Sequence, residues 1–164
     1  MSTQDGGRRS AEYVGRYTPP RIHGRFANKH IITVEQFERE DLDRLFEVTN
    51  RLRRAVVAGD RDVAVLAAGR VMASLFFESS TRTDISFQAA MRRLGEAVVA
   101  PSGGVQFSSV YKGENLADTV RAAGCYADVV VVRHPERGSS YQAAYYLEQL
   151  RGQIGHLFGR VKVR

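Results

Sequence analysis

Between residues 71 and 150, short apolar runs alternate with segments of helical periodicity, and this alternation is the strongest constraint on the fold. Three runs have the length of a strand, at 71–77, 97–100 and 129–132. The segments that follow them repeat apolar residues at helical spacing, at 85–94, 116–126 and 140–150. Such an order is typical of right-handed crossovers between parallel strands. The sequence therefore predicts an α/β fold, a three-layer domain with a mainly parallel sheet flanked by helices.

One more helix is predicted before the first strand. Residues 41–58 place apolar side chains at i, i+3, i+4 and i+7, and Gly59 follows as a helix stop. Residues 31–33 are expected to form a short strand or an extended entry into this helix. If either residues 31–33 or residues 161–163 join the sheet, it has four strands.

The two ends of the chain carry its excess of positive charge. Lys and Arg number 24 against 18 Asp and Glu, a net charge of +6, but residues 1–30 hold six basic and two acidic groups and residues 151–164 hold four basic groups and no acidic ones. The body is therefore nearly neutral, which argues against a nucleic-acid-binding face on the fold itself. We expect a flexible basic arm at 1–27, a folded domain at 28–150 and a basic tail at 151–164.

Composition excludes several classes of protein. A single cysteine, Cys125, forms no internal disulfide, and with four scattered His residues it predicts no structural metal site. No apolar run reaches the roughly 18 residues that span a bilayer, and the N-terminus lacks a secretory h-region. We therefore expect a cytoplasmic protein with no metal, no cofactor and no membrane contact.

Polar clusters follow the predicted strands, where ligands bind in parallel sheets. The first cluster is Ser79, Ser80, Thr81, Arg82 and Thr83, at the start of a helix. Backbone N–H groups, hydroxyls and a guanidinium at a helix N-terminus form a cradle for phosphate. The alternative is that a Ser or Thr here only caps the helix. Four consecutive donors that include an arginine exceed what a cap needs.

Two further clusters are candidates. Arg133 and His134 follow the third strand, where they can direct a cation and an imidazole into the same crevice. The alternative is that Arg133 pairs with a surface carboxylate and His134 packs before Pro135. The Gly/Ser-rich segment 101–114 predicts a loop, and such loops often carry ligand contacts.

Three segments carry a resemblance to a known family. Residues 75–99 (LFFESSTRTDISFQAAMRRLGEAVV), 108–119 (SSVYKGENLADT) and 129–138 (VVVVRHPERG) resemble the carbamoyl-phosphate-binding domain of aspartate carbamoyltransferases. The Ser-Thr-Arg-Thr motif is shared with ornithine carbamoyltransferases, and the other two segments are similar to the aspartate branch. Residues 28–47 resemble the first helix of that domain, so the resemblance extends over about residues 29–150.

The resemblance implies roles for these residues in carbamoyl transfer to the amine of aspartate, a reaction of pyrimidine biosynthesis. Ser80, Thr81, Arg82 and Thr83 match the motif that binds the phosphate of carbamoyl phosphate. Arg133 matches the arginine that polarises the carbamoyl oxygen, with His134 beside it. Ser108 and Lys112 match residues that reach into an adjacent subunit, which implies a homotrimer or a hetero-oligomer with a full-length carbamoyltransferase. The resemblance thus implies four catalytic residues, Arg82, Thr83, Arg133 and His134.

This sequence departs from the family pattern in two respects. The family motif continues with Arg and has Glu four residues later, whereas Asp84 and Gln88 stand here. The acid opposes a bound dianion, although it suits a helix N-terminus, and the change of both positions indicates a replaced structural interaction. The family also continues beyond residue 150 into a His-Pro-x-Gln motif and an aspartate-binding domain, which we expect this protein to lack.

Three functions therefore compete. The first is a truncated carbamoyltransferase-like protein that binds carbamoyl phosphate without turnover of its own. The second is a subunit that completes an active site shared with a full-length carbamoyltransferase or a second chain. The third is a non-enzymatic regulatory or interaction protein in which the basic ends act.

Overall fold

The computed structural model describes residues 9–101 and 115–158 of the chain, with side chains described as far as residue 153. Three short 3₁₀ helices occupy Ser10–Gly15, Val34–Gln36 and Arg61–Val65. The longer elements, in chain order, are α1 (Arg39–Ala58), β1 (Val71–Phe76), α2 (Thr81–Arg93), β2 (Ala97–Val99), α3 (Leu116–Tyr126), β3 (Val129–Arg133) and α4 (Ser139–Phe158).

The described strands form one parallel sheet in the order β2-β1-β3. Val71 is in register with Ala97 of β2, and Phe76 is in register with Arg133 of β3. The predicted α/β architecture with a parallel sheet flanked by helices is confirmed. Residues 31–33 belong to no strand, so they do not supply a fourth one, and residues 161–163 lie outside the described residues.

The central strand β1 is the most buried part of the sheet, because it has a neighbour on each side. The core connects its C-terminal end with α3, α4 and the N-terminal segment, and consists of Tyr13, Leu75, Phe77, Leu116, Ala117, Val120, Ala143 and Tyr146. The other connecting helix, α2, contacts β1 and β2 but has no fully buried side chain. None of the described helices is both long enough and apolar enough to cross a membrane.

The N-terminal segment is not a free arm from residue 10 onward. Tyr13 and Ile22 are fully buried, and the hydroxyls of Tyr13 and Tyr146 lie 2.6 Å apart in a hydrogen bond. Ser10 donates its N–H to a Glu136 carboxylate oxygen at 2.9 Å. The prediction of a flexible arm is therefore wrong for this part of the segment. Isolated anchor residues have no periodicity, so the pattern gave no sign that they would dock onto α4.

Helix α4 is longer than the sequence predicts. The expected end was residue 150, followed by a basic tail, whereas the helix continues to Phe158. Apolar residues recur with helical spacing at 147, 150, 154 and 158, and these outweigh Gly152 and Gly155, which weaken a helix by about 1 kcal/mol each. The predicted tail at 151–164 is thus helical over its first eight positions.

Helix α1 has the predicted end but not the burial that its pattern implies. It stops at Gly59, whose φ of 70° is the left-handed conformation of a glycine C-cap. On its apolar stripe, however, Leu45 is 39% exposed and Phe46 is 58% exposed. The amphipathic pattern identified the helix correctly, but within the described residues much of its apolar face has no covering layer.

Candidate functional site

The candidate site lies at the carboxyl ends of β1 and β3. Strand β1 is central, with β2 at one edge of the sheet and β3 at the other edge. The chain therefore goes from β1 to one neighbour and then to the neighbour on the opposite edge, so the strand order reverses between β1 and β3. In open α/β sheets, ligands bind outside the carboxyl ends of the strands at such a switch point. Both predicted clusters that the structure describes, one after each strand, meet there.

On the β1 side, a four-residue connection at 77–80 leads into α2. Phe77 extends the pairing beyond β1, since its N–H donates to the Arg133 carbonyl at 2.9 Å. Ser80 is the N-cap residue, and the first helical hydrogen bond runs from the Asp84 N–H to the Ser80 carbonyl at 2.9 Å. The N–H groups of Thr81, Arg82 and Thr83 precede that bond, and the Ser80 side chain makes no cap hydrogen bond. The capping alternative for Ser80 is therefore not realised.

On the β3 side, Arg133 connects the two strand ends. Its guanidinium donates to Ser80 Oγ through Nη1 and to Glu78 Oε2 through Nε, the latter at 3.3 Å. The Arg133 and Glu78 side chains are 45% and 42% exposed, so solvent weakens this ion pair. The alternative in which Arg133 pairs with a carboxylate is thus realised, but the same guanidinium also holds the hydroxyl at the start of α2.

His134 lies beside this pair and is held from two sides. Its ring packs edge-to-face on Phe77, with ring centroids 4.7 Å apart. Nδ1 accepts the Glu136 N–H at 3.1 Å and lies 2.8 Å from Ser139 Oγ. Burial lowers the pKa of His134, and the nearby Glu136 and Glu78 carboxylates oppose that shift only in part. The lowered pKa favours the neutral ring at pH 7, and because Nδ1 accepts the Glu136 N–H, the proton of the neutral ring is on Nε2.

A small cleft opens between these groups and α4. Its volume is about 250 Å³, and the residues that line it are Val132, Arg133, His134, Glu136, Gly138, Ser139 and Ser140. Polar side chains and the start of a helix dominate this lining. Such a cleft is suited to a small polar ligand, because larger organic ligands need pockets of roughly 300 Å³ or more, with mostly apolar walls.

The remaining predicted residues divide into two groups. Thr81, Arg82 and Thr83 form the exposed first turn of α2, and their side chains face solvent. Ser108 and Lys112, which were predicted to serve an adjacent subunit, lie outside the described residues. The structure therefore brings Ser80 into contact with Arg133 and places the other residues predicted to bind phosphate on the adjoining turn.

Asp84 and Gln88, the two departures from the family motif, interact with each other. Asp84 Oδ1 accepts hydrogen bonds from Gln88 Nε2 at 2.8 Å and from Ser74 Oγ at 2.7 Å. The expectation of a local structural interaction between these two positions is confirmed. It includes a third member, Ser74 on β1, that the sequence did not indicate.

Sequence reasoning also missed three polar residues of the site, Glu78, Glu136 and Ser139. Glu78 could have been predicted, because it lies two residues beyond β1 and polar residues after a strand of a parallel sheet face the ligand crevice. Glu136 and Ser139 follow the Arg-His pair closely, but their hydrogen bonds to His134 depend on how the chain turns into α4. No spacing pattern identifies such a turn.

Known proteins match most of the chain in sequence. A family model described as "Aspartate/ornithine carbamoyltransferase, carbamoyl-P binding domain" matches residues 29–152. The aspartate carbamoyltransferase catalytic subunit of Methanosarcina mazei is 44% identical over 121 residues, which are 74% of this chain and 38% of that protein. The multifunctional protein CAD of Squalus acanthias is 49% identical over 119 residues, 73% of this chain and 5% of that protein.

A solved structure is similar in fold as well as in sequence. Aspartate transcarbamoylase from Trypanosoma cruzi, crystallised in complex with carbamoyl phosphate, matches with a TM-score of 0.69 and 40% identity. The match covers 80% of this chain and 41% of that one. The chain therefore spans about two fifths of the length of such single-enzyme relatives.

Proposed function

Because this chain belongs to the aspartate/ornithine carbamoyltransferase family, we propose that it binds carbamoyl phosphate at the carboxyl ends of β1 and β3. The observation that carries this proposal is the contact between the Arg133 guanidinium and Ser80 Oγ. It places a permanent cation beside backbone N–H groups that the helix itself leaves without partners. An anion at this position gains a positive charge, a helix N-terminus and hydroxyl donors together.

Each group has a role that fits its chemistry. The N–H groups and side chains of Ser80, Thr81, Arg82 and Thr83 hold the phosphate. Arg133 faces both the phosphate and the carbamoyl oxygen, where a guanidinium stabilises the negative charge that develops on that oxygen. Neutral His134 offers its Nε2 proton as a hydrogen-bond donor. No covalent intermediate is required, because carbamoyl transfer needs an oriented amine and stabilisation of two oxyanions.

Glu78 competes with the ligand for Arg133. The carboxylate already occupies one edge of the guanidinium, at 3.3 Å from Nε. A bound phosphate therefore shares or displaces this contact. Since both side chains are nearly half exposed, the ion pair is weak and its loss costs about 1 kcal/mol or less.

We further propose that the 164-residue chain has no independent turnover. The family reaction transfers the carbamoyl group to the amine of aspartate, and the resemblance assigns aspartate binding to a domain that would follow residue 150. The chain spans only 38% of the Methanosarcina mazei catalytic subunit. If the acceptor is held by residues outside the matched segment 29–152, the site by itself binds its first substrate but does not orient the nucleophile or exclude water.

Thermal unfolding with and without ligand tests the binding proposal. Carbamoyl phosphate at a hundredfold excess over Kd adds about 2.7 kcal/mol to the stability of the native state, which raises Tm by about 5–10 °C for a domain of this size. Phosphate alone is expected to give a smaller shift. Arg133→Ala is expected to abolish the shift.

Arg137→Ala is the matched control, since Arg137 is an exposed arginine four residues further along the chain. It is expected to keep the full shift. Equal shifts in Arg133→Ala and Arg137→Ala would contradict the proposed site. Formation of carbamoyl aspartate by the purified chain would contradict the absence of turnover.

The open helix faces favour a second candidate, a subunit that completes an assembly with another chain. Phe46 on α1 and Ile85 on α2 are each 58% exposed, although both belong to amphipathic patterns. The proposed roles of Ser108 and Lys112 in an adjacent subunit fit the same assembly. Co-expression with a full-length carbamoyltransferase, followed by measurement of the mass of the native complex, tests this candidate. Self-association of this chain alone would contradict the mixed complex and would agree with a homotrimer.

A further inference from the structure

Asp84 connects the candidate anion site to the centre of the sheet. It lies four residues after the N-cap of α2, and its Oδ1 accepts from Ser74 Oγ at 2.7 Å and from Gln88 Nε2 at 2.8 Å. Ser74 belongs to β1 and is only 3% exposed. One carboxylate oxygen therefore joins the first turn of α2, its second turn and the buried central strand.

This connection positions α2 because little else in the helix is deeply buried. None of the residues of α2 is fully buried, so deep apolar packing does not fix its start relative to β1. The Ser74 hydroxyl lies in the core and needs a partner, since an unpaired buried hydroxyl is costly. Asp84 satisfies that hydroxyl and thereby holds the turn that contains Ser80 and Thr81.

The same carboxylate also has an electrostatic effect on the site. Its negative charge lies in the first turn of α2, within three residues of the N–H groups that would hold a phosphate. A charge of this sign stabilises the N-terminus of a helix but repels a dianion bound there. The hydrogen bonds and the charge of Asp84 thus act on anion binding in opposite directions.

We propose that Asp84 is a positioning residue whose hydrogen bonds through Oδ1 hold the anion site in its binding geometry while its charge lowers the affinity for phosphate. This inference rests on the proposed function, because it concerns the same site. Asparagine separates the two effects, since its amide oxygen accepts both hydrogen bonds but carries no charge. Alanine removes the hydrogen bonds and the charge together.

The experiment measures the Kd of inorganic phosphate for the full chain by titration calorimetry at low salt and at high salt. Asp84→Asn is expected to bind phosphate about three- to tenfold more tightly than the unmodified protein at low salt, and the gain shrinks as salt screens the charge. Asp84→Ala is expected to bind at least threefold more weakly than Asp84→Asn, although the two variants have the same charge. Ser74→Ala keeps the charge and is expected to bind more weakly than the unmodified protein.

The control is Glu47→Gln, which removes an exposed negative charge from α1 and is expected to leave the Kd unchanged. Equal affinities of Asp84→Asn and Asp84→Ala, or no tightening in Asp84→Asn, would overturn the inference while leaving the proposed function intact. If Asp84→Ala fails to fold, unchanged binding in Ser74→Ala overturns it instead. Absence of phosphate binding to the unmodified protein and to Asp84→Asn at millimolar phosphate would overturn the proposed function itself.

Discussion

The two groups of helices around the sheet differ in how completely the described chain covers them. Helices α3 and α4 pack on each other and on β3, and α4 also packs on the N-terminal 3₁₀ helix. Their inner residues Val120, Ala143 and Tyr146 are at most 4% exposed. Helices α1 and α2 have equally clear apolar patterns, yet Phe46 and Ile85 are each 58% exposed. A helical pattern therefore identifies a face that can be buried, but not whether the chain supplies the partner.

The difference has a functional side. His134 lies on the side of the closed group, α3 and α4. Its Nδ1 contacts Ser139 at the start of α4, and the neighbouring Glu136 accepts a hydrogen bond from the docked Ser10. The open group includes α2, whose first turn carries the residues proposed to bind phosphate and whose Asp84 is hydrogen-bonded to the buried Ser74 of β1. One half of the site is thus held by a packed core, and the other half by a polar connection.

Removal of a buried aromatic ring is expected to have the largest effect. Tyr146→Ala deletes a side chain that is 1% exposed, bonded to Tyr13 and stacked under Arg121 at 4.1 Å, and it is expected to destabilise the protein by about 3–5 kcal/mol. Tyr126→Ala on α3 is the matched control, since Tyr126 is 78% exposed, and it is expected to change the stability by less than about 0.5 kcal/mol. Urea unfolding measures both, and similar losses would contradict the burial of Tyr146 in the core.

Substitution of a glycine tests the docking of the N-terminal segment. Gly138 has a φ of 88°, and a Cβ there would lie 2.4 Å from the Ser10 carbonyl oxygen, so Gly138→Ala is expected to cost about 1–3 kcal/mol. Gly152→Ala in α4 meets nothing within 4 Å and is expected to stabilise the helix by about 0.5–1 kcal/mol. Thermal unfolding of the two variants distinguishes them, and a gain in stability in Gly138→Ala would show that Ser10 does not dock there.

Acidification is expected to weaken the closed region. Burial lowers the pKa of His30, which lies beside Glu148 of α4, and burial also lowers the pKa of His134. The unfolded chain therefore binds more protons than the native state below the usual histidine pKa of about 6.5, so the free energy of unfolding falls as the pH drops through and below that value. Unfolding at pH 7.5 and pH 5.5 measures the loss. The double variant His30→Gln, His134→Gln is expected to show a flatter profile, and an unchanged slope would assign the loss to other groups.

Much of the architecture followed from local patterns. Strand β1 and helix α3 lie where periodicity placed them, because burial on both faces of a central strand and on one face of a helix leaves a periodic trace. The rule that polar residues after parallel strands face a common crevice found Ser80, Arg133 and His134. The rule did not find Glu136 and Ser139, which contact His134. Those contacts depend on the turn between β3 and α4, and a turn has no periodic sequence pattern.

The sequence alone determined that this protein is a parallel α/β domain of the carbamoyltransferase type, with donors for an anion after β1 and β3. Its local patterns and motifs are sufficient for that, since both depend on residues close together in the chain. The tertiary structure alone decided that Tyr13 and Ile22 of the N-terminal segment are buried, that Arg133 bridges Ser80 and Glu78, and that Asp84 bonds to Ser74. These contacts join residues that are distant in the chain or depend on the packing of separate elements, so only the folded arrangement brings them together.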